Sequence, residues 1–387
     1  MVGRWSAGGR PVVAALVLSV AASTVAKVTE TLTRGDFTTL TTPLRGELVA
    51  HCYRMLGSLQ DAEDQVQETY LRAWRAFDGF EGRSSVRTWM YQIATRTCLT
   101  ALQQRARRPM PTGLGAPTDD PSAPLDTSPE VPWLEPLPDR MVAGTVPGPQ
   151  GGDPAAVSAA RESVRLAFVA ALQHLTPQQR AAVILRDVLA FSAAETAGTL
   201  QISVAAANSA LQRGRASLGR LPGRGDVPSA RTAGGRPDGD GPGGPEAAVA
   251  LAEGELAPDR RDLLERFMRA FEAYDVPGVV ALLTQDAGWE MPPFRQWFRG
   301  AERIGELIRS QCPAEAPGDL LHRPTSANGQ PACAVWFRGP DGVHRAFQLL
   351  VLDPVTTPEG PRVRHVSCFF DTRLFAWFEL PLELPPA

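Results

Sequence analysis

Lysine is almost absent from this chain. Of its 39 lysines and arginines, only Lys27 is a lysine, so nearly all of its positive charge is guanidinium. Cysteine and histidine are scarce too, with five of each. Cys52, Cys98, Cys312, Cys333 and Cys368 show no metal-ligand spacing, and no histidine clusters with them. An odd, scattered set argues against a disulfide framework. The expectation is reduced thiols, no metal and no cofactor. Long apolar runs are also missing. Val12–Ala22 is too short to span a bilayer securely, so no membrane partner is expected. A net charge of −3 excludes a protein that coats nucleic acid over its whole surface. The 43% hydrophobic content over 387 residues suffices for two or three packed domains. The charge is unevenly spread. From Arg161 to Arg224, eight arginines stand against three acids, a local net charge of +5. Such a local excess is the electrostatic footprint of a nucleic-acid contact.

That basic region contains Leu175–Leu218, the most informative stretch of the chain. Thr176 before Pro177 is a cap followed by proline at the first helical position. Ala181, Ile184, Leu185 and Val188 then recur at helical spacing. Ser192-Ala193-Ala194-Glu195 is a capping box for a second helix, with Ala194, Ala197 and Leu200 as its buried face. Ser203 caps a third, from Val204 to about Leu218, with Ala207, Leu211 and Leu218 facing inward. Ser203, Ala205, Ala206, Asn208, Ser209, Gln212, Arg213 and Arg215 face out. Small and amide side chains early in such a helix suit base edges, and arginines late in it suit phosphates. An ordinary three-helix bundle with a solvated basic face is the competing reading.

Upstream, Ser58 with Asp61 three residues on can cap a helix. Ala62, Val66, Thr69, Ala73 and Phe77 line one face of it. Asp61, Asp64, Gln65, Glu68 and Arg72 line the other, which by itself reads as a solvated acidic face. In the next helix, Val86, Trp89, Met90, Ile93 and Thr97 form the buried stripe, while Arg83, Arg87 and Arg96 lie off it. Phe80, Trp89 and Tyr91 stand among these arginines, a combination suited to unpaired bases. Trp89 also fits the core.

His51-Cys52-Tyr53-Arg54-Met55-Leu56-Gly57, Asp61-Ala62-Glu63-Asp64 with Gln67-Glu68-Thr69, and Arg87-Thr88-Trp89-Met90-Tyr91-Gln92-Ile93-Ala94 resemble the first domain of extracytoplasmic-function sigma factors. Leu175–Leu218 resembles their second. The resemblance covers about residues 36–222. It implies a cytoplasmic protein whose partners are core RNA polymerase and promoter DNA. The acidic face at Asp61, Asp64, Gln65 and Glu68 would dock on the polymerase. Phe80, Arg83, Arg87, Trp89, Tyr91 and Arg96 would melt and read the minus-ten element, with a flipped base captured near Phe80–Ser84. The helix after Ser203 would read the minus-thirty-five element.

Residues 1–27 resemble a secretory signal, which conflicts with a polymerase partner. The expectation is a start near Val28. The first sigma-like domain then spans 28–106 and the second 159–222. The 107–158 linker between them is rich in Pro, Gly, Asp and Ser and should be extended, without a core of its own. Its island Val131-Pro132-Trp133-Leu134-Glu135-Pro136-Leu137 resembles a linker motif of sigma factors that carry a fused C-terminal domain. It would dock on that domain or follow the polymerase channel. Residues 223–258 read as a flexible tether.

Residues 259–387 read as a separate α+β domain. Leu263, Phe267, Ala270 and Phe271 make one helix, Val279, Val280 and Leu283 a short second, and Ile304–Ile308 lies in a third. Strands are expected at about Ala332–Arg338, His344–Leu352 and Arg362–Asp371. The run from Phe271 to Phe294, with Trp297-Phe298-Arg299-Gly300, resembles a SnoaL-like cone. Trp289, Met291, Trp297, Trp336, Phe347 and Phe370 are candidates to line a pocket for a small-molecule ligand, or simply to fill the cone. Some such domains are cyclases or isomerases, and Glu290, Asp286 and His365 are the nearby candidates here. They form no convincing acid–base pair by spacing, so no catalytic residue is expected. The chain therefore reads as multidomain, two all-α sigma domains plus an α+β cone. Its function would be that of a sigma factor with a regulatory tail. The alternative is an enzyme fused to a DNA-binding module.

Overall fold

The computed structural model describes residues 34–104, 106–142, 162–220 and 256–385. The expected start near Val28, the 143–158 part of the linker and most of the tether lie outside the described residues.

The first helical unit contains α1 (Arg34–Thr41), α2 (Arg45–Leu56), α3 (Leu59–Ala76) and α4 (Val86–Leu102). Gly57 ends α2 in the left-handed conformation, φ 71°, with its N–H on the Tyr53 carbonyl. Glycine is needed there for that dihedral. It is also needed for space, since a Cβ would meet Leu134 Cδ1 of the linker at 2.8 Å. Ser58 caps α3 and Ser85 caps α4. Ala62, Val66, Thr69, Ala73 and Phe77 are all buried, as their helical spacing predicts.

The second unit contains α5 (Leu166–Leu172), α6 (Pro177–Val183), a wider turn over Ile184–Val188, α7 (Ala193–Leu200) and α8 (Val204–Leu218). Both capping boxes form, Thr176 with Gln179 and Ser192 with Glu195. The inner face of α7 differs from expectation. Ala194 is exposed, while Thr196 and Thr199 are buried beside Ala197 and Leu200. Each threonine hydroxyl satisfies itself on a carbonyl one turn back, Ser192 at 2.9 Å and Glu195 at 2.7 Å. That local bond makes a threonine acceptable in a core. Gly214 lets α8 approach α6 closely, since a Cβ would lie 2.8 Å from Val183 Cγ2.

The tail runs α9 (Pro258–Glu272), α10 (Val276–Ala281), β1 (Leu283–Glu290), β2 (Trp297–Arg299) and α11 (Ala301–Gln311). It continues through β3 (Leu320–Ala327), β4 (Gln330–Arg338), β5 (His344–Thr357) and β6 (Gly360–Phe369), then α12 (Leu374–Trp377) and β7 (Glu383–Leu384). The sheet order is β2-β1-β6-β5-β4-β3, with β7 beside β5 and only β1–β6 parallel. Strands β1, β2, β3 and β7 go beyond the three expected. Leu283, expected in a helix, opens β1.

The sheet is buried on both faces. Cys333, Val335, Leu350, Leu352, Val366 and Cys368 pack with α9 and α11 through Leu263, Phe267, Ile304 and Leu307. The alternate residues Ala332, Ala334, Trp336, Leu349, Val351 and Phe369 belong to a second core shared with both helical units and the linker. Period-two alternation thus gives one sheet two different partners.

The linker departs from expectation for the same reason. Over 106–142 it is largely without helix or strand, but it is anchored on its neighbours rather than fully solvated, and Met110, Leu134 and Leu137 are buried. A proline-rich segment satisfies only part of its backbone internally, so other polar groups bond to neighbours. Thr118 and Ser128 donate N–H to the carbonyls of Trp297 and Pro293, and Arg295 donates back to Asp126. Leu134 donates to Pro109, and Glu135 donates to Gly57 at the end of α2. The Trp133 indole bonds inside the linker, to the Ser128 carbonyl, while Leu134 and Leu137 are the buried anchors.

Candidate functional site

The outer face of α3 carries Asp64, which accepts from Gln60, and Glu68, paired with Arg72 at 2.6 Å. Gln65 is half-buried beside them. Helical spacing adds Leu71 and Trp74 to this strip. They are 52% and 39% exposed, Trp74 packing its other side edge-on against Phe37 at 5.2 Å, and side by side on one face they suit a partner surface. Sequence reasoning missed both, although they fall off the buried stripe and were detectable on that ground. Asp61 leaves the strip. It is buried under the linker and paired with Arg108 at 2.9 Å, while Arg108 also reaches Glu135 and the Trp133 carbonyl.

The aromatic and arginine set divides. Phe80 packs on Trp89 with centroids 4.9 Å apart, and Trp89 is half-buried against Phe77. Arg83 projects into solvent beside Glu81. Arg87 lies over the Tyr91 ring and pairs with Glu47 at 2.7 Å. Tyr91 is buried and donates its hydroxyl to Glu47, and burial raises its pKa above the ordinary phenol value. Arg96 faces the second unit. Its guanidinium donates to the carbonyls of Gly198 and Thr199 at 2.9 and 3.1 Å, at the C-terminal end of α7 where a cation is favoured. Tyr91 also meets Phe191 edge-on.

On α8, Ala205, Ala206, Asn208, Gln212, Arg213 and Arg215 are exposed, as is the capping Ser203, with Ser209 half-buried. The predicted outward face therefore forms. Arg215 is engaged by Asp187, with Nε 3.0 Å from a carboxylate oxygen.

Several side chains tie the two helical units together. Arg54 of α2 donates to the carbonyl and hydroxyl of Ser163, ahead of α5. Arg180 of α6 donates to the Met55 carbonyl and to Gln173. Burial lowers both guanidiniums to about 10. Asp353 of β5 binds Arg165 ahead of α5 and Arg364 of β6.

The tail candidates do not share a pocket. Trp289, Met291, Phe347 and Phe370 pack with the helix-facing core, whereas Trp336 lies on the opposite face against Phe375. Trp297 sits on the edge strand, its indole donating to the Gly115 carbonyl of the linker. Asp286 is exposed near Arg299. Glu290 and His365 do meet, at 2.9 Å, with Ser367 donating to the same carboxylate oxygen. The other oxygen accepts the Thr112 N–H of the linker at 3.2 Å. His365 and Ser367 alternate with Val366 and Cys368, so this cluster lies on the linker side of the sheet. Burial opposes charge on both partners, but their mutual attraction wins. Glu290 is held below its usual value and His365 above its own. Among the described residues no group of side chains is arranged to hold a metal, and no helix is long and apolar enough to cross a membrane.

Comparison with known proteins agrees with this architecture. Residues 40–108 match sigma-70 region 2, residues 165–218 match sigma-70 region 4, and residues 264–370 match the SnoaL-like domain. The chain belongs to the extracytoplasmic-function RNA polymerase sigma factors, in the form that carries a SnoaL-like domain. It is 50% identical over 351 residues to the sigma factor SigG of Mycobacterium tuberculosis H37Rv, covering 91% of this chain and 85% of that one. It is 28% identical to SigJ of the same strain, over 71% and 73% of the two chains. The crystal structure of M. tuberculosis SigJ has a similar fold, with a TM-score of 0.52 and 23% identity over 88% of this chain and 97% of that one. Its function is accordingly that of an alternative sigma factor directing promoter-specific initiation.

Proposed function

We propose that this structure is the closed state of that factor, with the C-terminal domain acting in cis to hold the two promoter-reading units and their linker together. The carrying observation is the Arg96 contact. A minus-ten candidate is bonded to the helix that precedes the minus-thirty-five reader. The two promoter elements lie roughly 20 base pairs or more apart, so about 70 Å at 3.4 Å per pair. Units in contact cannot read both at once, so promoter binding requires opening. In the open state Asp64, Glu68, Leu71 and Trp74 dock on the polymerase, with Gln65 at the margin. Asp61 joins them only if the linker moves. Phe80, Arg83, Arg87 and Arg96 read the minus-ten element, with the half-buried Trp89 behind Phe80; Tyr91, buried and packed on Phe191, supports them from the core and joins them only if opening uncovers it. Ser203, Ala205, Ala206, Asn208, Ser209, Gln212, Arg213 and Arg215 read the minus-thirty-five element, with the arginines on phosphates. These partners place the protein in the cytoplasm.

The tail is a regulator rather than an enzyme on this reading. Its acid–histidine pair faces the linker and not the cone, and the linker's own N–H occupies the carboxylate. A small-molecule ligand of the tail would act by preferring one state over the other.

The test locks the closed state. Pro138 of the linker and Ala327 of β3 face each other across an antiparallel bridge, a separation within reach of a disulfide. The oxidised P138C/A327C chain should fail to initiate transcription with core polymerase, and reduction should restore it. Full activity of the oxidised protein would refute the closed-state reading.

A further inference from the structure

Asn328 lies in the β3–β4 hairpin, and its side chain is fully buried. Asn328 and Gly329 are both left-handed, φ 57° and 68°, between the paired residues Ala327 and Gln330. That is the two-residue turn of a tight hairpin, in which Asn-Gly is a preferred pair. The turn accounts for the backbone but not for what the side chain does. Asn328 Oδ1 accepts the Leu137 N–H of the linker at 2.8 Å, while its own N–H donates back to the Leu137 carbonyl at 2.8 Å. Asn328 Nδ2 donates to the Tyr53 hydroxyl of α2 at 3.0 Å and to the Val164 carbonyl ahead of α5 at 2.7 Å. Tyr53 passes the connection on, donating to the Glu135 carbonyl at 2.6 Å, and the Glu135 carboxylate accepts the Leu59 N–H at the start of α3.

We propose that Asn328 is the latch of the closed state, a single buried amide through which the tail holds the first helical unit, the linker and the entry to the second unit together. The inference rests on the regulatory reading above and names the residue on which it turns. An amide is the side chain that fits, because one terminus must accept and the other must donate twice. Opening separates these partners, and each returns to water or to the polymerase.

The chemistry supplies two variants that keep the hairpin. N328G retains the left-handed turn and removes all three side-chain bonds. N328D also tolerates the turn and keeps the acceptor for Leu137, but has no N–H for Tyr53 or Val164. In the full-length protein, both should raise the open population. For N328G, three lost bonds correspond to a shift on the order of 10- to 1000-fold in the closed–open ratio. The readouts are energy transfer between dyes at the exposed positions Gln67 and Gln212, and the association rate with core polymerase. Transfer should fall and association should quicken at least tenfold, with the melting temperature of the tail little changed. If association stays within twofold for both variants, the latch is refuted. It is refuted too if they only lower the melting of the tail, since Asn328 would then be a hairpin residue alone. If the oxidised P138C/A327C chain is silent while N328G behaves as the parent, the latch fails and cis regulation stands. If the locked chain is also active, both fail.

Discussion

The ion pair between Arg165 and Asp353 joins the tail to the entry of the promoter-reading second unit, and it can be isolated. Asp353 lies on β5 and shares its other oxygen with Arg364 of β6, a contact internal to the tail. Burial would push the Asp353 carboxyl up, but the two guanidiniums hold it below its ordinary value. The Arg165 and Asp353 side chains are 18% and 10% exposed, so solvent screening removes only part of their attraction. Charge-assisted hydrogen bonds contribute about 1.5–3 kcal/mol, and allowing for that partial exposure we take about 2. A loss of about 2 kcal/mol corresponds to about 30-fold in the closed–open ratio. D353N keeps the shape and an acceptor while removing the charge, and R165Q removes the partner. Loss of the Arg364 contact cancels in a cycle of the two single variants and the double variant. The quantity measured is the association rate with core polymerase at fixed ionic strength. Each single variant should associate faster by about 5- to 30-fold, and the double variant by no more than the larger single effect. Full additivity, with a coupling below about 0.3 kcal/mol, would show that the pair does not hold the units closed.

Other expectations follow from the exposed strip and the buried cluster. L71A/W74A should weaken binding to core polymerase by at least tenfold, while L71A alone, which spares the Trp74–Phe37 edge contact, should weaken it without lowering the melting temperature of the free protein; unchanged affinity in a titration would remove both from the docking face. The Glu290–His365 pair should make the tail–linker contact depend on pH. His365 has a raised pKa, so its contribution is full below about 6.5 and is lost as pH rises through the raised value. Glu290 has a lowered pKa, so its contribution is present above about 4.5 and lost as pH falls through the lowered value. Melting temperature should therefore be highest between those limits and decline at higher pH, with the decline flattened in H365Q. An identical profile for H365Q would exclude the pair as its source.

The sequence makes the helices legible because their signals are local. Ser58, Thr176, Ser192 and Ser203 each cap the helix they announce, and the stripe from Ala62 to Phe77 needs only a periodicity of 3.6 to be seen. The outward face of α8 follows from the same arithmetic. What stays hidden is set by partners distant in the chain. Asp61 reads as a surface acid until Arg108 comes over it, 47 residues later. Trp336 reads as a pocket aromatic because alternation cannot say which face of a sheet meets which neighbour. Asn328-Gly329 is a strong hairpin signal, yet its bond to Tyr53 spans 275 residues and leaves no local trace. The linker misleads for a related reason. Its composition does exclude a core of its own, but it does not exclude lending Leu134 and Leu137 to the core of others.

The kind of bond used between the units bears on how the closed state can be undone. Its named ties are polar, arginine to carbonyl at Arg54, Arg96 and Arg180, asparagine at Asn328 and carboxylate at Asp353. A hydrogen bond exchanged for another costs little, whereas a buried donor left without one costs the whole desolvation of that group. Opening is therefore steep along any path that separates the units dry. It is mild along one where water or a partner replaces each bond as it breaks. The apolar share of the interface includes Leu134 and Leu137 on the linker, so the segment that must move is also the one whose burial is lost. A polymerase surface that accepts the linker and covers Leu71 and Trp74 compensates both terms together. Core polymerase then acts as a ligand that binds only the open form, and it shifts the population by the difference in its affinity for the two states. Variants that loosen the latch should gain most when polymerase is scarce and least when it is saturating. A gain that stayed constant across a polymerase titration would mean that the tail acts on a step after binding.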